Sequence, residues 1–145
     1  MPSKSEQVLQ ALFDVLVAGL PAGVTVMRNS SVPEEIPAAG LAILHDGDPG
    51  EYEFLFSPPR YFYEHRAEID VLVEGEDSTT RDSAFDTIKT SIATALALDR
   101  TLGGLCDYVL GEAPAPAEFP VEGFTGLKAA VIPVILQYDT SDPLA

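Results

Sequence analysis

The sequence predicts an α+β domain: a mainly antiparallel sheet of about four to six strands, with two helices packed on one face. Three observations carry this expectation. First, residues 61–74 alternate. Tyr61, Tyr63, His65, Ala67, Ile69, Val71 and Val73 share one parity, and Glu64, Arg66, Glu68, Asp70 and Glu74 share the other, interrupted by Phe62 and Leu72. A period of two places one set on each face of a strand. Second, the period then changes: Phe85, Ile88, Ile92, Ala95 and Leu96 recur at helical spacing. Third, Val8, Leu9, Leu12, Phe13, Leu16 and Val17 form another helical stripe near the start. Helices separated by runs of strands usually settle together on one sheet face.

The remaining elements follow in order. Ser3 or Ser5 can cap the first helix, and Gly19 and Pro21 end it. Residues 24–28 read as a short strand, 29–38 as a polar loop with two prolines, and 41–45 as a buried strand. The run Asp46-Gly47-Asp48-Pro49-Gly50 reads as a turn. Residues 51–57 alternate weakly, and Pro58-Pro59 separates them from the long strand. Residues 74–80 read as an acidic loop. Thr79 or Thr80, with Asp82 beyond, offers a capping-box-like start to the second helix, which should reach about Leu98. Gly103-Gly104 breaks the chain, residues 105–111 form a fair strand, and the proline-rich stretch 113–121 reads as a surface linker. Residues 127–138 read as the last long strand. Pro133 within it implies an edge strand or a bulge, because proline cannot donate to a ladder. The expected division is one domain over 1–138 and a flexible tail over 139–145.

Bulk composition narrows the function classes. With 8 Lys and Arg against 23 Asp and Glu, the formal net charge is −15. Binding nucleic acid through its phosphates needs clustered cations, so that class is disfavoured, as is an anionic membrane surface. The 46% hydrophobic content suits a packed core rather than a disordered tail. A single cysteine, Cys106, rules out a disulfide framework within one chain. No apolar run approaches the roughly 18 residues of a membrane span, and the amphipathic N-terminal segment reads as a helix rather than a signal peptide.

Candidate chemistry is sparse. His45 and His65 are the only histidines, too few for a zinc site, and His65 lies on the apolar parity of its strand, as a hydrogen-bonded core histidine would. Asp46, Asp48 and Glu51 lack the distal glutamate of a calcium loop. Cys106 sits in an apolar run, as a small buried hydrophobe does. Glu64 and Glu68 would lie about 13 Å apart at about 3.3 Å per residue, too far for paired-carboxylate catalysis. No nucleophile, base and orienting group can be assembled, so the expectation is no enzyme, no cofactor and no metal.

The long strand at 61–74, the helix at 84–98 and the junction Asp99-Arg100-Thr101-Leu102-Gly103-Gly104, followed by a strand ending near Tyr138, together resemble the tail terminator (tail-completion) proteins of bacteriophages, prophages and gene transfer agents. The resemblance covers about half of the chain. It implies a structural virion protein, made in the bacterial host cytoplasm. Such proteins form a homo-hexameric ring on the head-proximal end of the tail tube, stop its elongation and meet the head–tail connector or stopper protein. DNA then passes through the ring without specific binding.

Two further expectations concern assembly. A DNA channel is best lined by carboxylates, which repel the duplex and let it slide; Glu64, Glu68, Asp70 and Glu74, with Glu76 and Asp77 in the following loop, are the candidates. A solvated outer face is the plainer reading of the same residues. The extended loops could reach a neighbouring subunit, through Pro33, Glu34 and Glu35 in one and Pro114, Pro116 and Phe119 in the other. The alternative functions are an acidic DNA mimic that occupies a basic protein, and a sibling head–tail joining (neck) protein.

Overall fold

The computed structural model describes residues 1–117 and 126–145. In chain order the elements are α1 (Lys4–Gly19), β1 (Thr25–Arg28), β2 (Leu41–Asp48), β3 (Glu53–Leu55), β4 (Arg60–Glu74), α2 (Ser78–Leu98), β5 (Tyr108–Gly111), β6 (Ala115–Pro116) and β7 (Leu127–Thr140). The fold is α+β, as expected, with seven strands among the described residues where about four to six were expected. The order β1-β2-β4-β7-β5 forms the path across the sheet, with β3 added to β4 and the two-residue β6 added to β7.

The sheet is built around β4 and β7, which pair antiparallel from Tyr61↔Thr140 to Glu74↔Leu127. Odd residues of β4 and even residues of β7 point to the face that carries both helices. Ala67, Ile69, Val71, Val73, Ile132, Val134 and Leu136 there meet Leu12 and Leu16 of α1 and Ile88, Ile92 and Leu96 of α2 in one buried cluster. The helical stripes are those the spacing predicts, except that Val17 is exposed. Ser3 caps α1 by accepting from the Glu6 N–H. Asp77, not Thr79 or Thr80, caps α2, accepting from the Thr79 N–H at 3.1 Å.

The opposite face departs from expectation. β1 and β2 are parallel, Thr25↔Leu41 through Arg28↔Leu44. A parallel pair needs the chain to return across the sheet, which takes a dozen or so residues. Residues 29–40 make that return, and they cover part of the second face. Val32 and Ile36 pack there against Leu41, Ile43 and Leu72, a small second core. This explains why Leu72 interrupts the charged parity of β4.

Three local corrections have physical causes. The expected turn at 46–50 is the end of β2, which runs to Asp48 through an irregularity between His45 and Asp48. Gly47 makes it possible: its φ is +70°, and a Cβ there would fall 1.9 Å from the Arg66 carbonyl oxygen. Pro133 lies in an interior strand, opposite Glu68. Its carbonyl accepts from the Glu112 N–H at 2.8 Å. N–H and C=O of one residue point to the same edge of an antiparallel strand, so its missing donor faces the gap between β5 and β6 and costs no bond to β4. The final strand also passes the expected domain limit at 138. Thr140 is buried and its hydroxyl donates to the carbonyls of Asp142 and Ala145, while Asp139 pairs with Arg60 at 2.8 Å.

Candidate interaction surfaces

The charged row of β4 stands on the face away from the helices. Glu64 and Glu74 are exposed and Glu68 is half-buried. Arg66 lies between Glu64 and Glu68 and pairs with Glu112 at 2.6 Å. Asp70 does not belong to a solvated row. It is 8% exposed, with Ile43 and Val131 across the two ladders, and its Oδ2 lies 2.8 Å from His45 Nε2. Burial pushes its carboxyl above the ordinary range, and the nearby His45 opposes that shift. Glu76 and Asp77 are exposed in the turn before α2, where Asp77 is spent on the helix cap.

Glu34 and Glu35 are exposed and Pro33 is half-buried, in a segment anchored by Val32 and Ile36 on the second core. Pro114 is half-buried and Pro116 exposed, and β6 pins this stretch to β7 through Ala115↔Val131 and Pro116↔Ala130, so it is an element rather than a linker. Phe119 lies outside the described residues.

His65, Arg28 and Glu6 are tied into the structure. Both ring nitrogens of His65 are used: Nε2 donates to the Asp46 carbonyl at 2.6 Å and Nδ1 accepts from the Tyr138 hydroxyl at 2.8 Å. Burial pushes the Tyr138 phenol up to about 12, which keeps its proton available for that bond. Arg28 on β1 holds α1 to the sheet with two bonds to the Glu6 carboxylate, at 2.7 and 2.8 Å, and one to Asp46 at 3.0 Å. This bidentate contact holds the Glu6 carboxyl below its ordinary value. Among the described residues no group of three or more His, Cys, Asp or Glu is placed to hold a metal ion. Among the described residues no helix is long and apolar enough to cross a membrane.

The junction after α2 is a built turn. Asp99 accepts from the Thr101 N–H at 2.9 Å and hydroxyl at 2.6 Å with one oxygen, and from the Gly103 N–H at 2.8 Å with the other. These bonds, that to the hydroxyl first, hold its carboxyl below the usual range. Leu102, Gly103 and Gly104 all have positive φ, and Leu102 is buried. The aspartate therefore stabilises a left-handed turn that drives one leucine into the core, and the glycines supply the φ values without strain.

The surface that sequence reading passed over is the β3–β4 hairpin. Among the described residues β3 pairs only with Arg60–Phe62, and all three of its residues are exposed. Tyr52 is 52% exposed and Phe56 80%, with Phe54 and Leu55 also exposed. The rings nonetheless pack against one another: Tyr52 on Tyr61 at 4.9 Å, Phe54 on Phe56 at 4.8 Å and Phe54 on Tyr61 at 5.3 Å between centroids. The cluster is thus ordered by its own members and left open to solvent. The signal was four large apolar residues within 52–56, more than a solvated turn needs. Neither a known family model nor a curated protein sequence matches the chain.

Proposed function

We propose that this chain is a structural protein of a tailed phage, prophage or gene transfer agent. In this reading it assembles into a ring on the head-proximal end of the tail tube, ends tube growth and joins the tube to the head connector. The observation that supports it best is the contrast between interior and surface. Both histidines are engaged in hydrogen bonds and the cysteine is buried, whereas the aromatic residues of 52–56 are exposed. Such a division suits a protein whose work is assembly. The left-handed turn at Asp99–Gly104, the most distinctive part of the resemblance to tail terminators, has a clear structural purpose here.

The acidic DNA-mimic reading is less well supported. A mimic needs an unbroken row of carboxylates, and here Arg66 interrupts the row while Asp70 is buried. In the ring, Glu64, Glu68 and Glu74, with Glu76 beyond them, face the channel and keep the duplex from adhering. Particles made without the chain, and particles carrying Glu64→Lys/Glu68→Lys/Glu74→Lys, test this. Absence of the chain is expected to give overlong, headless tubes, and uniform tails with heads attached would overturn the reading. The charge reversal is expected to leave tail length normal but to slow DNA ejection, with the defect easing as salt rises. Ordinary ejection would remove these residues from the channel.

A further inference from the structure

We propose that the β3–β4 hairpin of one copy docks into the groove between α2 and the β5 edge of a second copy, so that the chain associates head to tail. This rests on the self-assembly reading above and names the two surfaces that meet. The groove, about 360 Å³, is lined by Ile92, Leu96, Leu110 and Ile132 together with Lys89, Arg100 and Glu112, the last of these already paired with Arg66 at 2.6 Å. At about 30 Å³ per water it holds the volume of roughly a dozen waters, room for the side chains of a hairpin tip.

Charge complementarity selects the occupant. Between Asp48 and Pro59 the hairpin segment carries Asp48, Glu51 and Glu53 and no Lys or Arg. Lys89 and Arg100 both line this apolar groove, and Lys89 also lies 3.5 Å from Asp86 on its own helix. Arg100 is held by the Val109 carbonyl at 3.0 Å and over the Tyr108 ring at 5.6 Å, and it has no carboxylate partner among the described residues. Leu110 beside it is 46% exposed. An acidic, aromatic finger and a cationic, aliphatic groove are matched in both respects, and the same chain supplies both.

Topology makes the contact intermolecular. β3 joins β4 on the side away from β7, and β5 joins β7 on the side away from β4. Finger and groove therefore sit on opposite edges, about 14 Å apart across three strand spacings of about 4.8 Å. A copy cannot fill its own groove. Two different patches that meet across copies form a heterologous contact, which closes into a ring or grows into a filament according to its rotation. Because the aromatic rings already pack on one another, little side-chain freedom is lost on docking.

Crosslinking tests the contact even where it is weak. A Phe56→Cys chain and a Leu110→Cys chain are mixed and oxidised, and the rate of mixed-dimer formation is compared with each chain alone. The native Cys106 stays out of the reaction: it is 5% exposed, and burial pushes its thiol up to about 12. The mixed pair is expected to form at least tenfold faster than either self-pair. Adding Lys89→Glu/Arg100→Glu to the groove chain should abolish the advantage, and Glu51→Lys/Glu53→Lys on the finger chain should restore it. Both cysteine positions are exposed, so unchanged melting temperatures check the fold. Equal rates for all three pairings would overturn the proposal. Equal rates with capped tubes would remove this interface alone, whereas a strong mixed preference with normal tails in particles lacking the chain would remove the tail reading alone.

Discussion

Ile92→Asp is expected to leave the chain without a cooperative fold. Ile92 is buried in the main cluster, on the face of α2 shared with Ile88 and Leu96. Removing it forfeits the roughly 1.5–3 kcal/mol that such a side chain gains on burial. The carboxylate that replaces it adds a desolvation penalty of several kcal/mol. Together these approach the whole stability of a typical domain, about 5–15 kcal/mol. Ile92→Val keeps the packing and should cost only about 0.5–1.5 kcal/mol. Thermal unfolding by circular dichroism separates the pair: a broad, featureless trace for the aspartate variant and a sharp transition for the valine one. A sharp transition for both would contradict the assigned face.

Gly47→Ala is expected to lower the melting temperature by about 10 °C, although the change adds one methyl group. The new Cβ would lie 1.9 Å from the Arg66 carbonyl oxygen, so β2 must move away from β4. A left-handed backbone costs a non-glycine residue about 1–2 kcal/mol in addition. The neighbouring Asp46 carbonyl is the acceptor for His65 Nε2, and displacing it leaves a buried donor unpaired, worth about 1–3 kcal/mol. Together these come to about 2–5 kcal/mol, and a domain of this size loses roughly 2–4 °C per kcal/mol. Amide exchange should show the loss first at Arg66 and Glu68. Uniform protection with an unchanged melting temperature would mean that the close approach relaxes freely.

Much of this architecture is legible in the residues because two periods are unusually clean. The odd residues of β4 from Tyr63 to Val73 are buried, and the α2 stripe of Phe85, Ile88, Ile92, Ala95 and Leu96 is buried as its spacing predicts. Periodicity describes one element at a time, however, and the misreadings arise between elements. Asp70 follows the charged parity but is buried, because its neighbours across the ladders are apolar. Nothing within residues 29–40 states that the segment crosses the sheet, although Val32 and Ile36 in an otherwise polar run were the available sign. Pro133 implies an edge strand or a bulge because a sequence does not reveal which of two neighbouring strands its missing donor faces. The aromatic hairpin was legible as composition but not as a surface, since exposure depends on whether a helix happens to cover it. The motif behind the family resemblance, by contrast, has a local explanation that holds without the family: one aspartate satisfies three donors and fixes a left-handed turn.

The central claim is that the chain caps a tube. The direct measurement mixes the purified protein with growing tubes of the tail tube protein encoded in the same genome. Tube ends and lengths are then followed by negative-stain electron microscopy. The account predicts a ring of density on one end of each tube and growth that stops when the ring appears. Tubes that keep growing with bare ends, at protein concentrations well above the number of ends, would contradict it.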